Sequence, residues 1–169
     1  LWYIKIFEKG KKLIKKKYDV LGIGNAIVDL IAPVDKSFLE TNNLMYGSMT
    51  LVDKDRSLEI QKLLKKKQTQ AGGSVANTIA GIAMLGGRCS FIGKRKNDLL
   101  GDAFYKSMND LNIYLPNELS EGAESTANCI VLVTPDGQRT MCTYLGISVY
   151  LNELDIIEET IKNSDIIYF

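Results

Sequence analysis

Along this chain, short apolar runs with the length of β-strands alternate with longer segments in which apolar residues recur at helical spacing. Short apolar runs predict strands at residues 18–24, 27–34, 47–52, 89–93, 127–134, 139–145 and 165–169. Apolar residues at the spacing of an amphipathic helix predict helices at residues 54–67, behind Gly73, and at residues 98–111 and 152–162. Because strands alternate with helices, the pattern favours an α/β fold with a mostly parallel sheet flanked by helices.

Two local signals refine this picture. Residues 135–138 read Pro-Asp-Gly-Gln, in which proline sets φ and glycine accepts a positive φ, so they predict a turn. The strands on either side of this turn are therefore expected to form an antiparallel hairpin added to the parallel sheet. Asn152 is a residue type suited to capping the start of the last helix.

The helical spacing also predicts which side chains face the core. In the helix at residues 54–67, the lysines are expected to face outward and the leucines inward, namely Leu58, Leu63 and Leu64. In the helix at residues 98–111, the expected apolar side consists of Leu99, Phe104, Met108 and Leu111.

Composition and charge narrow the class of protein. The chain has 169 residues, of which 46% are apolar and 24% charged, as in a globular protein with one domain. Residues 1–17 contain seven lysines and one glutamate and are expected to be a disordered basic leader, with residues 18–169 as the folded part. That folded part is slightly acidic, which does not support binding to nucleic acid. No apolar run approaches the ~20 residues of a membrane span.

The rare residue types exclude several chemistries. The sequence has no histidine, so Ser-His and Cys-His triads and histidine metal sites are excluded. Carboxylates, lysine or tyrosine remain as acid–base groups. Cys89, Cys129 and Cys142 lie in apolar segments without CxxC spacing. We expect them to be buried free thiols in a reducing compartment, the cytoplasm.

A glycine pair precedes the second predicted helix, in the segment AGGSVAN at residues 71–77. Two glycines let a ligand approach the backbone closely, and the free N–H groups of a helix start suit hydroxyl and phosphate oxygens. Asn77 would project from the first turn. The alternative interpretation is a tight turn followed by a buried helix.

The first strand also ends at candidate binding residues. Gly22-x-Gly24 begins like a dinucleotide-binding fingerprint, but Ile27 stands at the third glycine position, so this NAD-binding interpretation is disfavoured. Ligands in α/β proteins lie beyond the carboxyl ends of strands, where Asn25 and Asp29 follow. Asp29 interrupts an apolar stretch and needs partners. It is either a structural cap or an acceptor of hydrogen bonds from two sugar hydroxyls.

Three segments in this order and spacing carry a resemblance: GNAIVD at residues 24–29, AGGSVAN at residues 71–77 and PDGQRTM at residues 135–141. Together they resemble the N-terminal half of the ribokinase-like carbohydrate kinase family, most closely its adenosine kinase branch. The resemblance extends over residues 18–169. It implies a ribokinase-like α/β fold with a small β-lid around residues 30–52 and 127–145. It also implies MgATP-dependent phosphoryl transfer to a primary hydroxyl of a sugar or nucleoside.

The resemblance assigns roles to individual positions. The implied acceptor site consists of Asn25, Asp29, Gly72, Gly73, Asn77, Met49, Leu51, Met141, Thr143 and Leu145. Asp29 would bind the ribose hydroxyls, while the methionines and leucines would line the base, since alternate strand residues share a face. Arg139 would reach the transferring phosphate with its permanent charge and forked donors. Without the resemblance, Arg139 would be a solvated hairpin charge and the methionines ordinary core residues.

The chain also departs from the family pattern. Family members are about twice as long, and neither their catalytic Gly-Ala-Gly-Asp segment nor the Asn-x-x-Glu segment tied to magnesium is present. ATP and Mg²⁺ are therefore implied cofactors whose binding residues are not on this chain. The chain ends in a predicted apolar strand, with no following segment to cover it, and it begins with Leu1 rather than methionine. We therefore expect it to be part of a longer protein.

The sequence thus predicts a kinase fragment that is inactive alone. Its expected partner is a small sugar or nucleoside, with no nucleic acid and no membrane, and its oligomeric state stays open. The alternative is a non-catalytic sugar- or nucleoside-binding remnant.

Overall fold

The computed structural model describes residues 16–169, so the predicted leader lies almost entirely outside the described residues. The strands in this part are β1 (Tyr18–Ile23), β2 (Ile27–Pro33), β3 (Met49–Leu51), β4 (Gln68–Gly72), β5 (Cys89–Ile92), β6 (Ala127–Val133), β7 (Arg139–Tyr144) and β8 (Ser164–Tyr168). The α-helices are α1 (Lys36–Thr41), α2 (Lys54–Leu63), α3 (Ser74–Met84), α4 (Leu99–Asn109) and α5 (Glu158–Lys162). Two short 3-10 helices lie at Gly146–Tyr150 and Glu153–Asp155.

The strands form two sheets. The first has three parallel strands in the order β5-β1-β8. The second has five strands in the order β3-β7-β6-β2-β4, with parallel β2–β6 and β3–β7 pairs and antiparallel β6–β7 and β2–β4 pairs. The predicted α/β fold with parallel-rich sheets flanked by helices is therefore confirmed. The second sheet contains the strands of the predicted lid together with β4.

The core lies on one face of the five-stranded sheet. Alternate residues of β2 and β6 are fully buried there, namely Val28, Leu30, Ala32, Ile130 and Leu132. They pack with α1–α4 through one apolar cluster whose helical members include Leu39, Ile60, Ile79, Phe104 and Met108. Because successive strand residues point to opposite faces, the remaining residues of β2 and β6 lie on the face turned away from this core.

The predicted hairpin is confirmed. β6 and β7 pair in register from Asn128 opposite Tyr144 to Val133 opposite Arg139. Gly137 in the connecting turn has a φ of +81°, the conformation that its glycine predicted. The three cysteines are also buried free thiols, as expected. Among residues 16–169, no helix is long and apolar enough to cross a membrane.

In α2 and α4, some leucines that were predicted to face the core are exposed. Leu58 and Leu63 are 45% and 46% exposed, and the buried residues of α2 are Ser57 and Ile60. On this buried face, Ile60 packs into the core, and the Ser57 hydroxyl donates a hydrogen bond of 2.8 Å to Asn128 Oδ1 in β6. Leu99 is 88% exposed because it occupies the first turn of α4, outside the packed face.

Helix lengths were also overestimated. α2 ends at Leu63 rather than at residue 67, and Gln68–Gly72 form β4, a strand that the sequence did not predict. Residues 152–162 form the 3-10 helix Glu153–Asp155 and then α5, rather than one helix. Asn152 does cap the first of these, since its side chain accepts a hydrogen bond from the Leu154 N–H.

Glycine allows α3 to pack directly on the backbone of β1. A Cβ at Gly22 would lie 2.5 Å from Ile79 Cγ1 and 3.0 Å from Val75 Cγ1, both in α3. A Cβ at Gly24 would lie 3.0 Å from the Val75 Cβ. This close approach fixes the start of α3 beside the carboxyl end of β1.

We therefore expect the same substitution to have opposite effects at two glycines. Gly22→Ala should lower the free energy of unfolding by about 1–3 kcal/mol, because the added methyl overpacks the contact with α3. Gly81→Ala should raise it by about 0.5–1 kcal/mol, since Gly81 lies within α3 with no atom near its Cβ position. Urea denaturation of both variants and wild type measures the effects. Changes of the same sign would contradict the described packing of α3.

Candidate functional site

Asp29 lies midway along β2, on the face of the five-stranded sheet turned away from the core. It is paired with Gln70 of β4 on one side and with Cys129 of β6 on the other. Its carboxylate lies over the backbone of Gly72, where an added Cβ would clash with both carboxylate oxygens. Glycine at residue 72 therefore makes the room in which the Asp29 carboxylate sits.

The Asp29 carboxylate is half-buried and has neither a hydrogen bond nor an ion pair with any residue from 16 to 169. Burial raises the pKa of Asp29 above its ordinary value, and the positive charge of Arg139 partly opposes that rise. No backbone N–H in this part of the chain donates to the Asp29 carboxylate, so the structure gives no support to a capping role. A partly desolvated carboxylate without a partner is suited to accept hydrogen bonds from ligand hydroxyls.

The start of α3 lies next to this carboxylate. Gly73 caps the helix with a φ of +91°, and a Cβ there would lie 3.0 Å from the backbone oxygen of Asn25. The Asn77 N–H donates to the Gly73 oxygen at 2.9 Å, which begins the helix. The side chains of Asn25 and Asn77 are exposed and make no hydrogen bond within the described residues. The structure thus places Gly72 directly beside the Asp29 carboxylate, with Gly73 next in the chain, the backbone of Asn25 against Gly73, and Asn77 in the first turn of α3.

Strand register places the other predicted residues on the same face. Paired residues of neighbouring strands share a face, and two rows cross the five strands from β3 to β4. The first row is Leu51, Thr143, Cys129, Asp29 and Gln70, and the second is Met49, Met141, Val131, Ile31 and Gln68. Met49 and Leu51 are 58% and 60% exposed, so they are not ordinary core residues.

Arg139 begins β7 on the same face as Met141 and Thr143. It is exposed and forms no ion pair within residues 16–169, yet its charge lies close enough to lower the pKa of Asp29. Leu145 differs from the other predicted residues. β7 ends at Tyr144, and Leu145 has a helical backbone before the 3-10 helix at Gly146–Tyr150. The alternation of side chains between the two faces of β7 therefore does not extend to Leu145.

Two residues of the first row were missed as site residues by sequence reasoning. Cys129 was predicted only as a buried thiol, although its place in β6 follows once the β2–β6 register is known. The Thr143 hydroxyl donates to Cys129 Sγ at 3.2 Å, and burial raises the pKa of the thiol, with the nearby Asp29 charge adding to this rise. No sequence pattern indicated Gln70 as a site residue, because β4 itself was not predicted.

The Asp29 face is separate from the two clefts described at the surface. Two clefts of about 290 Å³ lie elsewhere, one at the strand ends near Pro33 and Pro135 and one between α2, α4 and the core face of β6 and β7. Neither is lined by Asp29. In the described part of the chain, no group of three His, Cys, Asp or Glu side chains is placed to hold a metal ion.

Comparison with solved structures finds the same fold in several kinases. The adenosine kinase of Sinorhizobium meliloti is 40% identical with a TM-score of 0.84, and the match covers 90% of this chain and 47% of that chain. A probable sugar kinase protein of Rhizobium etli CFN 42 is 34% identical with a TM-score of 0.83, covering 91% and 47%. These likenesses agree with the ribokinase-like architecture inferred from the sequence motifs.

A curated relative is the 5-dehydro-2-deoxygluconokinase of Listeria monocytogenes, which is 28% identical over 160 residues, covering 93% of this chain and 42% of the relative. The chain thus spans less than half the length of the proteins it matches. Residues 19–169 match the profile of the family described as pfkB family carbohydrate kinase. Since this match covers nearly the whole chain, the chain belongs to the pfkB family of carbohydrate kinases.

Proposed function

We propose that this chain is the acceptor-binding part of a phosphotransferase that moves the γ-phosphoryl group of ATP to a primary hydroxyl of a sugar or nucleoside. The observation that carries the proposal is the unpaired, half-buried carboxylate of Asp29 above Gly72 and beside the start of α3. The kinase family of the chain supports the reaction class.

The geometry around Asp29 suits a diol. Its two oxygens can accept hydrogen bonds from neighbouring hydroxyls, and such bonds are stronger where water is partly excluded. Asn25 and Asn77 add exposed amides at the same edge, and the N–H groups at the start of α3 add further donors. We propose that these groups, with Gly72 and Gly73, hold the sugar.

The opposite end of the same face is apolar. Met49, Leu51 and Met141 lie there, and the first two are more than half exposed. An apolar surface of this kind fits a flat base better than a second hydroxylated group. We therefore propose an adenosine-like acceptor, which the 40% identity to an adenosine kinase supports. A free sugar is the other candidate acceptor, since the Rhizobium etli and Listeria relatives are named as sugar and gluconate-type kinases.

Arg139 and the cofactors complete the proposal. ATP would supply the phosphoryl group and Mg²⁺ would neutralise its charge. We propose that Arg139, exposed and unpaired within residues 16–169, contacts the transferring phosphate.

Residues 1–169 contain no Gly-Ala-Gly-Asp segment, so we propose that this chain alone binds the acceptor without phosphorylating it. Its three buried free thiols support a location in the cytoplasm.

A non-catalytic sugar- or nucleoside-binding protein is the second candidate, and it rests on the absence of the catalytic segment from residues 1–169. The coding sequence beyond Phe169 separates the two candidates. A downstream Gly-Ala-Gly-Asp segment supports the kinase, and a stop codon directly after Phe169 supports the binding protein.

Calorimetric titration with adenosine tests the acceptor site. We expect the wild-type chain to bind adenosine and Asp29→Asn to weaken binding by about tenfold to hundredfold, because a charged hydrogen-bond acceptor is lost. Asp165→Asn in β8 is the matched control and should bind like wild type. Equal affinities for wild type and Asp29→Asn would refute the assigned role of Asp29. No binding of adenosine or fructose to wild type would refute the proposed function.

The same variant should reveal the raised pKa of Asp29. Because the folded pKa is above the ordinary value of 3.8, ionisation of Asp29 is less favourable in the folded than in the unfolded chain. Asp29→Asn should therefore raise the free energy of unfolding at pH 7. This advantage should vanish as the pH falls below 3.8, where both states of the wild type are protonated. Urea denaturation across this pH range is the measurement, and a variant less stable than wild type at pH 7 would contradict the expectation.

A further inference from the structure

The first row has strongly polar side chains at its β4 end and an apolar side chain at its β3 end. Starting at the edge strand β4, the row passes from the amide of Gln70 to the carboxylate of Asp29, and then to Cys129 and Thr143 before ending at Leu51 in β3. Cys129 and Thr143 are each 8% exposed, and their polar atoms are paired with each other. On the β6 side of Asp29, therefore, the polar atoms of this row are already paired with each other and are not available to bind a ligand.

Gln70 stands on the other side of Asp29. Its side chain is exposed, lies directly opposite Asp29 in the antiparallel pair, and makes no hydrogen bond within residues 16–169. Directly paired residues of antiparallel strands have Cβ atoms about 4.5–5.5 Å apart. The next residue of β4 on this face is Gly72, which has no side chain to fill the space. The Gln70 amide is thus free to contact a group bound at the Asp29 carboxylate.

We propose that Gln70 is a specificity-determining residue of the acceptor site, whose amide binds a hydroxyl of the sugar held by Asp29. The sugar end of the acceptor then lies toward β4 and its apolar end toward β3. This inference rests on the proposed function and deepens it, because it states how the acceptor is oriented across the sheet.

The chemistry of the amide explains the selectivity. A carboxamide offers both a donor and an acceptor, so it can bind a hydroxyl whose own proton is donated to Asp29. A site that hydrogen-bonds a hydroxyl discriminates against an acceptor without it, because the amide and carboxylate then lose a partner. The substrate class is therefore a sugar or nucleoside with two neighbouring hydroxyls.

The chain provides a matched control on the same strand. Gln68 is also exposed and lies on the same face of β4, but it is opposite Ile31 rather than Asp29. It is displaced from Gln70 by two residues, about 7 Å along the strand. An effect of the strand itself would appear in both variants, whereas a contact with the sugar would appear in one.

Titration of the 169-residue chain with adenosine, 2′-deoxyadenosine and 3′-deoxyadenosine tests the proposal. Gln70→Ala should weaken adenosine binding by about twofold to tenfold, the range of one neutral hydrogen bond. It should also reduce the preference of the protein for adenosine over one of the two deoxy analogues by a similar factor. Gln68→Ala should change neither quantity. Gln70→Glu keeps the shape but adds a second carboxylate beside Asp29, and should weaken binding at neutral pH.

Several outcomes would overturn the inference. These are unchanged adenosine binding in Gln70→Ala, an equal loss for all three ligands, or an equal loss in Gln68→Ala. If Asp29→Asn still weakens binding in the same experiment, the proposed function stands and only the role of Gln70 falls. A wild-type chain that binds none of these nucleosides and no fructose would overturn the proposed function, and the role of Gln70 with it.

Discussion

β2 is paired on both sides, and this double pairing determines where the candidate site lies. Its ladder with β6 has seven residue pairs and its ladder with β4 has five. The two ladders hold Val28 and Leu30 in the core on one face and Asp29 above the opposite face. A slip of β2 by one residue against its neighbours would move Asp29 into the apolar core, where an unpaired carboxylate is strongly unfavourable. The core and the site therefore depend on the same register.

Close backbone packing connects this sheet to the smaller one. α3 contacts β1 through Gly22 and Gly24, and its first residues follow directly from β4. The start of the helix is thus held by both sheets at once. Gly72 and Gly73 then serve two different needs: one leaves space for the Asp29 carboxylate, and the other adopts a positive φ that turns the chain from strand to helix. A side chain at either position would disturb the site and the helix start together.

Sequence patterns predicted most of the fold, and the exceptions arise where contacts with distant segments decide the local structure. The strands with apolar runs and the hairpin with its Pro-Asp-Gly turn were predicted correctly, as was the helix behind Gly73. β4 was not predicted, since Gln68 and Gln70 are residue types without strand preference and become a strand only by pairing with β2. The predicted buried face of α2 was also wrong, because Ile60 packs into the core and Ser57 bonds Asn128, while Leu58 and Leu63 stay exposed.

The sequence by itself determined the class of fold, the family motifs and the residues Asp29, Gly72 and Gly73 as site candidates, because periodicity, turn chemistry and motif spacing are local properties of the chain. Only the tertiary structure decided that the Asp29 carboxylate has no hydrogen bond or ion pair within residues 16–169 and that Cys129 and Gln70 stand on either side of it. It also decided that Met49 and Leu51 share its face. These relations join segments distant in sequence. They arise from strand register, which is selected by packing of the whole core rather than by any one segment.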